Sequence, residues 1–211
     1  MESNWAAENL QTIRTLMERS AVYRRALAPV MIFVGMTGVI GAAAGWWLKI
    51  EDGSLFASYW MAISVVAIAG AFMLVRRQAL KSAEPFWSPP TRRIAQAMLP
   101  ALLIGCVFGL IAAVRLLHHR DDPFRVVLVL IWGLLYGLAL NAAGFFMPRG
   151  IRWFGWAFII VGLGLFLQLD SILEMGADLP HLLMGILFGL SHLAYGIYLY
   201  FTEPRKNESL S

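Results

Sequence analysis

Six long apolar runs, joined by short polar turns, leave this chain few folds to choose from. They are Leu27–Leu48, Leu55–Val75, Ile94–Val114, Val126–Met147, Trp153–Leu169 and Leu182–Phe201. Each is about 17–24 residues long, and at ~1.5 Å per residue a helix of that length crosses a hydrocarbon core of ~30 Å. Lipid offers no partner to a backbone N–H or C=O, so runs of this kind must satisfy themselves as helices. The composition agrees: 59% of residues are hydrophobic and 14% charged, far from the balance of a soluble domain. The expected fold class is all-α, a polytopic transmembrane bundle of six spans.

Charge then orients the bundle. Arg14, Arg19, Arg24, Arg25, Arg76, Arg77, Lys81, Arg92, Arg93, Arg149, Arg152, Arg205 and Lys206 fall on the side of the N-terminus, and only Lys49, Arg115, Arg120 and Arg125 fall on the other. Thirteen against four predicts that both termini are cytoplasmic. Carboxylates sharpen the bias, because Glu51, Asp52, Asp121, Asp122, Asp170, Glu174 and Asp178 lie on the outer side. The sequence pI near 9.5 therefore reports topology, and no nucleic-acid partner is expected. The lipid bilayer is.

Residues 1–26 form the first unit, a cytoplasmic amphipathic helix lying at the interface. Trp5, Leu10, Ile13, Leu16, Met17 and Leu27 share one face, with Gln11, Arg14, Glu18 and Arg25 opposite, the pattern of a helix in the headgroup layer or against a partner. Residues 27–201 form the six-helix transmembrane domain, and 202–211 a short cytoplasmic tail. The first run reads as a signal anchor, because it is too long for a cleavable signal and lacks a small-residue cleavage context. Trp46, Trp47 and Trp60 are expected at the outer interface, and Trp87, Trp153 and Trp156 at the inner one. Pro100 should kink the third span unless neighbours satisfy the freed carbonyl.

Arg76–Arg93 is the longest inner connection. Its segment Glu84-Pro85-Phe86-Trp87-Ser88-Pro89-Pro90-Thr91-Arg92-Arg93 is expected to be partly extended, since each proline disfavours helix at the residue before it. Asn4–Arg25 and Glu84–Arg93 are the two expected surfaces for a cytosolic protein partner.

Small residues at i and i+4 let helix backbones approach closely in lipid. Gly41 and Gly45, Gly105 and Gly109, Gly133 and Gly137, and Gly185 and Gly189 have this spacing. They are expected to be packing seams within the chain, or between two copies in a homo-oligomer. Cys106 is alone and is expected to be inert.

His192 is the one ionisable group deep in a span, with Ser191 beside it; Asn141 on the fourth span is its expected interhelical partner. A polar group at that depth is a candidate ligand-binding or proton-relay site. The competing reading is a neutral imidazole held by Asn141, a serine or a backbone carbonyl. Haem would want a second deep histidine, and none exists. On the outer side His118, His119, Asp121, Asp122, Asp170, Glu174, Asp178 and His181 gather, but adjacent histidines on a helix diverge and no spacing fits a metal motif. A solvated acidic rim is expected, with no metal and no cofactor. Six spans with a late histidine invite comparison with rhomboid-type intramembrane proteases, yet no G-x-S-G elbow precedes it. H-E-x-x-H and Walker-type loops are absent too, so no catalytic residue is assigned and no enzyme is expected.

The segment Leu10-Gln11-Thr12-Ile13-Arg14-Thr15-Leu16-Met17-Glu18-Arg19-Ser20, followed by Tyr23-Arg24 and the glycine-rich first span, resembles a family of uncharacterised bacterial membrane proteins. That resemblance implies a polytopic protein of the bacterial inner membrane and implies no activity. The expected function is a non-enzymatic regulatory, sensory or scaffold component. The alternative is a small transporter or ligand-binding channel built on His192, Ser191 and Asn141.

Overall fold

The computed structural model describes residues 26–81, 87–115, 124–174, 176 and 178–202. Six of its helices are long and apolar enough to cross a membrane, which marks the chain as a multi-pass membrane protein. They are α1 (Ala26–Trp47), α2 (Gly53–Lys81), α3 (Pro89–Arg115), α4 (Phe124–Ala143), α5 (Arg149–Leu167) and, after the single-turn α6 (Leu169–Leu173), α7 (Leu179–Thr202). The expected N-terminal amphipathic helix up to residue 25, and residues 203–211 of the expected tail, lie outside the described residues.

Every apolar run became a helix, but several ends moved. The α2 helix continues through Arg76–Lys81, whose side chains favour helix. The α3 helix begins at Pro89, five residues before the apolar run, so Pro89 and Pro90 open a helix within the segment expected to be partly extended. Proline is tolerated in a first turn, where no N–H is needed. Ser88 caps that turn, with its carbonyl accepting from Arg92 N and its hydroxyl 3.0 Å from Thr91 Oγ1. Pro100 sits inside α3, which runs through it. The α4 helix stops at Ala143, four residues early, because Gly144–Met147 turn tightly ahead of Pro148. Between α1 and α2, Lys49 takes φ 50° at the C′ position of a Schellman motif, where Ile50 N bonds Gly45 O and Lys49 N bonds Trp46 O.

Sequential helices pack antiparallel. Ala57 of α2 clusters with Ala112 of α3 and Leu128 of α4, and Trp132 Nε1 donates to Gly105 O of α3 at 2.8 Å. Gly137 of α4 meets Gly155 and Phe158 of α5. The chain closes by laying α7 against α1. Gly35 and Gly38 face Leu193 and Gly189, Ala42 faces Gly185, Gly45 faces His181, and Ile32 faces Gly196. A methyl on Gly38 would stand 2.8 Å from Gly189 backbone, and one on Gly185 would stand 2.7 Å from Ala42 Cβ. At Gly35, Gly38 and Gly189 the contact is backbone on backbone, which glycine alone permits.

The seam on α7 steps by four residues from His181 to Gly185, Gly189 and Leu193. An ordinary helix would drift about 40° per such step. Between Gly185 and Leu190 the helix instead takes a π turn, whose wider winding holds the glycines against α1. Of the eight glycines expected to make seams, Gly45, Gly109, Gly137, Gly185 and Gly189 sit too close to a neighbour for a methyl group. Gly41, Gly105 and Gly133 keep ordinary van der Waals spacing. All eight face other helices of the same chain.

Candidate functional site

Two buried histidines organise the interior, one at each level of α7. His192 is fully buried and comes just after the π turn. There Ser191 N reaches back five residues to Ile186 O, and the Ser191 hydroxyl donates to Leu187 O. The imidazole Nε2 lies 2.7 Å from Tyr136 Oη on α4. A backbone bond to Phe188 on the same helix engages the ring too. A neutral ring satisfies both contacts, donating to the carbonyl from Nδ1 and accepting the tyrosine proton at Nε2.

Rings enclose this pair. Phe154 stands 5.1 Å from the imidazole and Phe158 5.7 Å, while Phe188 lies parallel to it at 6.4 Å. Tyr136 packs edge-on to Phe158 at 5.2 Å, and Tyr195 stacks on Phe154 at 4.7 Å. Three helices, α4, α5 and α7, thus converge on one imidazole and leave it two hydrogen bonds and aromatic faces.

The expected partner of His192 was Asn141, and this is corrected: the partner is Tyr136. The two residues are five positions apart on α4, about 140° around the helix. Tyr136 points at α7, whereas Asn141 backs onto Gly155 of α5. The Asn141 side-chain Nδ2 is buried and has no hydrogen-bond partner among the described residues. Ser191 Oγ is 3.5 Å from His192 Nδ1, but its hydroxyl is committed to Leu187. Tyr136 carried a signal in the sequence. It and Phe188 each stand just before the second glycine of an expected seam pair, Gly137 and Gly189, and their rings meet at 5.4 Å.

His181 was expected on a solvated outer rim, and it is buried instead, 3% exposed. The first turn of α7 starts at Leu179, earlier than the apolar run suggests, and carries His181 into the bundle. Trp60 Nε1 donates to its Nδ1 at 3.3 Å. Indole is a donor only, so Nδ1 must accept and Nε2–H must donate to Ile50 O, 3.0 Å away. Trp60, expected at the membrane interface, is itself buried. Phe56 meets the imidazole edge-on at 5.0 Å, and the backbone of Gly45 packs against it. The ring pins the α1–α2 turn and α2 to the start of α7.

Arg125, at the start of α4, is buried too and acts electrostatically on His181, as does Asp178. Below Ile50, Asp52 caps α2. Its Oδ1 accepts from Ser54 Oγ at 2.6 Å, Ser54 N at 2.9 Å and Leu55 N at 3.0 Å. The Ser54 hydroxyl and Leu55 amide hold the Asp52 carboxyl below the ordinary carboxylate range.

Asp170, Glu174 and Asp178 lie at the same end of the bundle as Asp52, while His118, His119, Asp121 and Asp122 lie outside the described residues. Among the described residues no three His, Cys, Asp or Glu side chains gather as metal ligands would. Cys106 is exposed on α3. No family model, curated protein or solved structure matches this chain.

Proposed function

We propose that this protein is a non-enzymatic regulatory, sensory or scaffold component of a bacterial inner membrane, with both termini cytoplasmic, acting through its inner surface. The observation that carries this reading is the enclosure of His192. The deepest polar group in the bundle spends its hydrogen bonds on Tyr136 and Phe188, and aromatic rings fill the space around it. Such a group specifies how helices fit together; a transport site would present it to a passage. Support for the orientation comes from the basic residues. Arg76, Arg77, Lys81, Arg92, Arg93, Arg149 and Arg152 sit where α2 ends and α3 and α5 begin.

The partner surface is Asn4–Arg25 together with Glu84–Arg93. Trp87 is well exposed beside Ser88, ready to touch lipid or a docked protein. Photo-crosslinkers at Trp5, Met17 and Trp87 in native membranes test the reading. One discrete protein adduct is expected, shared by at least two positions; lipid adducts alone at all three would refute it. His192→Ala provides the counter-test, since loss of solute flux from a still-folded variant would restore the transporter reading.

A further inference from the structure

The lipid-facing side of α2 carries a site that the interior does not need. The helix has 29 residues, about 43 Å at ~1.5 Å per residue, against a hydrocarbon core of ~30 Å. Its last turns therefore stand at headgroup level. There Met73, Arg76, Arg77, Leu80 and Lys81 line a shallow groove. At ~100° per residue these five share one face of the helix. Ala79, on the other side, is buried against the bundle, so the groove looks outward.

Its chemistry has two levels. Arg76, Arg77 and Lys81 are exposed, and the α2–α3 register brings Arg92 and Arg93, also exposed, to the height of Arg77. The described carboxylates, Glu51, Asp52, Asp170, Glu174 and Asp178, all belong to the opposite end of the bundle. Glu84 of the intervening segment is outside the described residues. Directly beneath the cations, Val66, Ala69 and Met73 repeat at helical spacing and are all exposed. The track leads from the arginines into the hydrocarbon layer. A protein or nucleic-acid partner would use the charge and waste the track, whereas an amphiphile uses both.

We propose that this groove binds an anionic phospholipid, its phosphate held by Arg76, Arg77 and Lys81 and one acyl chain laid along Met73, Ala69 and Val66. The site stands independently of the regulatory reading, since it draws on neither His192 nor Trp87. Basic side chains near a membrane surface each contribute about 1 kcal/mol to anionic-lipid attraction, or about fivefold in affinity.

Native mass spectrometry of the full chain in detergent, titrated with phosphatidylglycerol or chain-matched phosphatidylcholine, is the test. Detergent removes any effect of inserted orientation. The wild type is expected to retain phosphatidylglycerol preferentially. Arg76→Gln with Arg77→Gln and Lys81→Gln should weaken it about a hundredfold, while Arg76→Lys with Arg77→Lys should keep most of it. Arg149→Gln with Arg152→Gln, on the same charged end, should change it less than about twofold. Acyl-free glycerol phosphate should not compete at equal concentration.

Four results would overturn the proposal. One is undiminished binding by the triple variant, whose exposed side chains can be changed without disturbing the bundle. Another is an equal loss in the Arg149/Arg152 variant, which would mean a diffuse basic face. The third is full competition by glycerol phosphate, which would leave the apolar track without a role. A protein or nucleic acid retained through these arginines in place of lipid would also contradict it.

Discussion

The α1–α7 seam and the outer side of α2 are built from the same apolar alphabet to opposite ends. Half of the α4 span and much of α1 and α7 are buried, against 6% of the α2 span. In the seam, glycines remove side chains so that backbones touch, and His181 packs against Gly45; His192 lies off the seam, matched by Tyr136 of α4. On α2, Val65, Val66, Ile68 and Met73 are more than half exposed and are matched only by lipid. Hydrophobicity placed both regions in the membrane; side-chain size decided which became interior.

The largest effect should come from breaking that difference directly. Gly189→Leu on α7 would drive a side chain into Val39 N, 2.8 Å from the first added carbon. A loss of about 3 kcal/mol or more is expected, or failure to fold, from overpacking that backbone cannot relieve. Gly164→Leu on α5, where nothing lies within 4 Å, should stay within about 0.5 kcal/mol. Thermal unfolding of both variants in one detergent compares them.

Within the interior, Tyr136→Phe should cost about 2 kcal/mol by leaving the buried Nε2 of His192 without a donor. Asn141→Ala should cost much less, since its Nδ2 has no described partner to lose. Equal costs would return Asn141 to the role the sequence suggested. Trp60→Phe should follow at about 1 kcal/mol, for the lost bond to His181; unfolding midpoints with matched slopes would show it.

The smallest effect lies at the rim. Asp52→Ala should cost up to about 1 kcal/mol through the lost cap. The folded-state pKa of Asp52 is lowered, so the unfolded chain binds its proton more readily. The cap's contribution is then present above the ordinary carboxylate range and fades as pH falls through the lower folded value. Wild type and Asp52→Ala should accordingly converge in stability in acid and differ most near neutrality; a constant gap would remove the cap's charge from the account.

Much of this was readable from residues. Six runs of sufficient length could satisfy their backbones only as helices, and two of the i, i+4 glycines, Gly137 and Gly189, lie where backbones meet. Contact at a distance was less legible. Asn141 looked like the partner of His192 by depth alone, whereas Tyr136 wins by helix phase, which requires knowing that α4 packs between α5 and α7. Pro89 and Pro90 read as breakers because a proline pair can either end a helix or open one, and Ser88 decides for opening. Trp60 and His181 read as surface groups because each lies near a span end, and only their mutual hydrogen bond shows why both are buried. The π turn left no local mark beyond the four-residue spacing of Gly185 and Gly189.

The sharpest measurement uses the unaltered protein. Hydrogen–deuterium exchange at the imidazole C2 carbon, followed by mass spectrometry, reports the access of water to each histidine. His192 is expected to exchange far more slowly in the folded chain than in the same chain denatured, because Tyr136, Phe154, Phe158 and Phe188 wall it in. Equal rates in the two states would place His192 beside water and contradict a closed interior with its function at the surface.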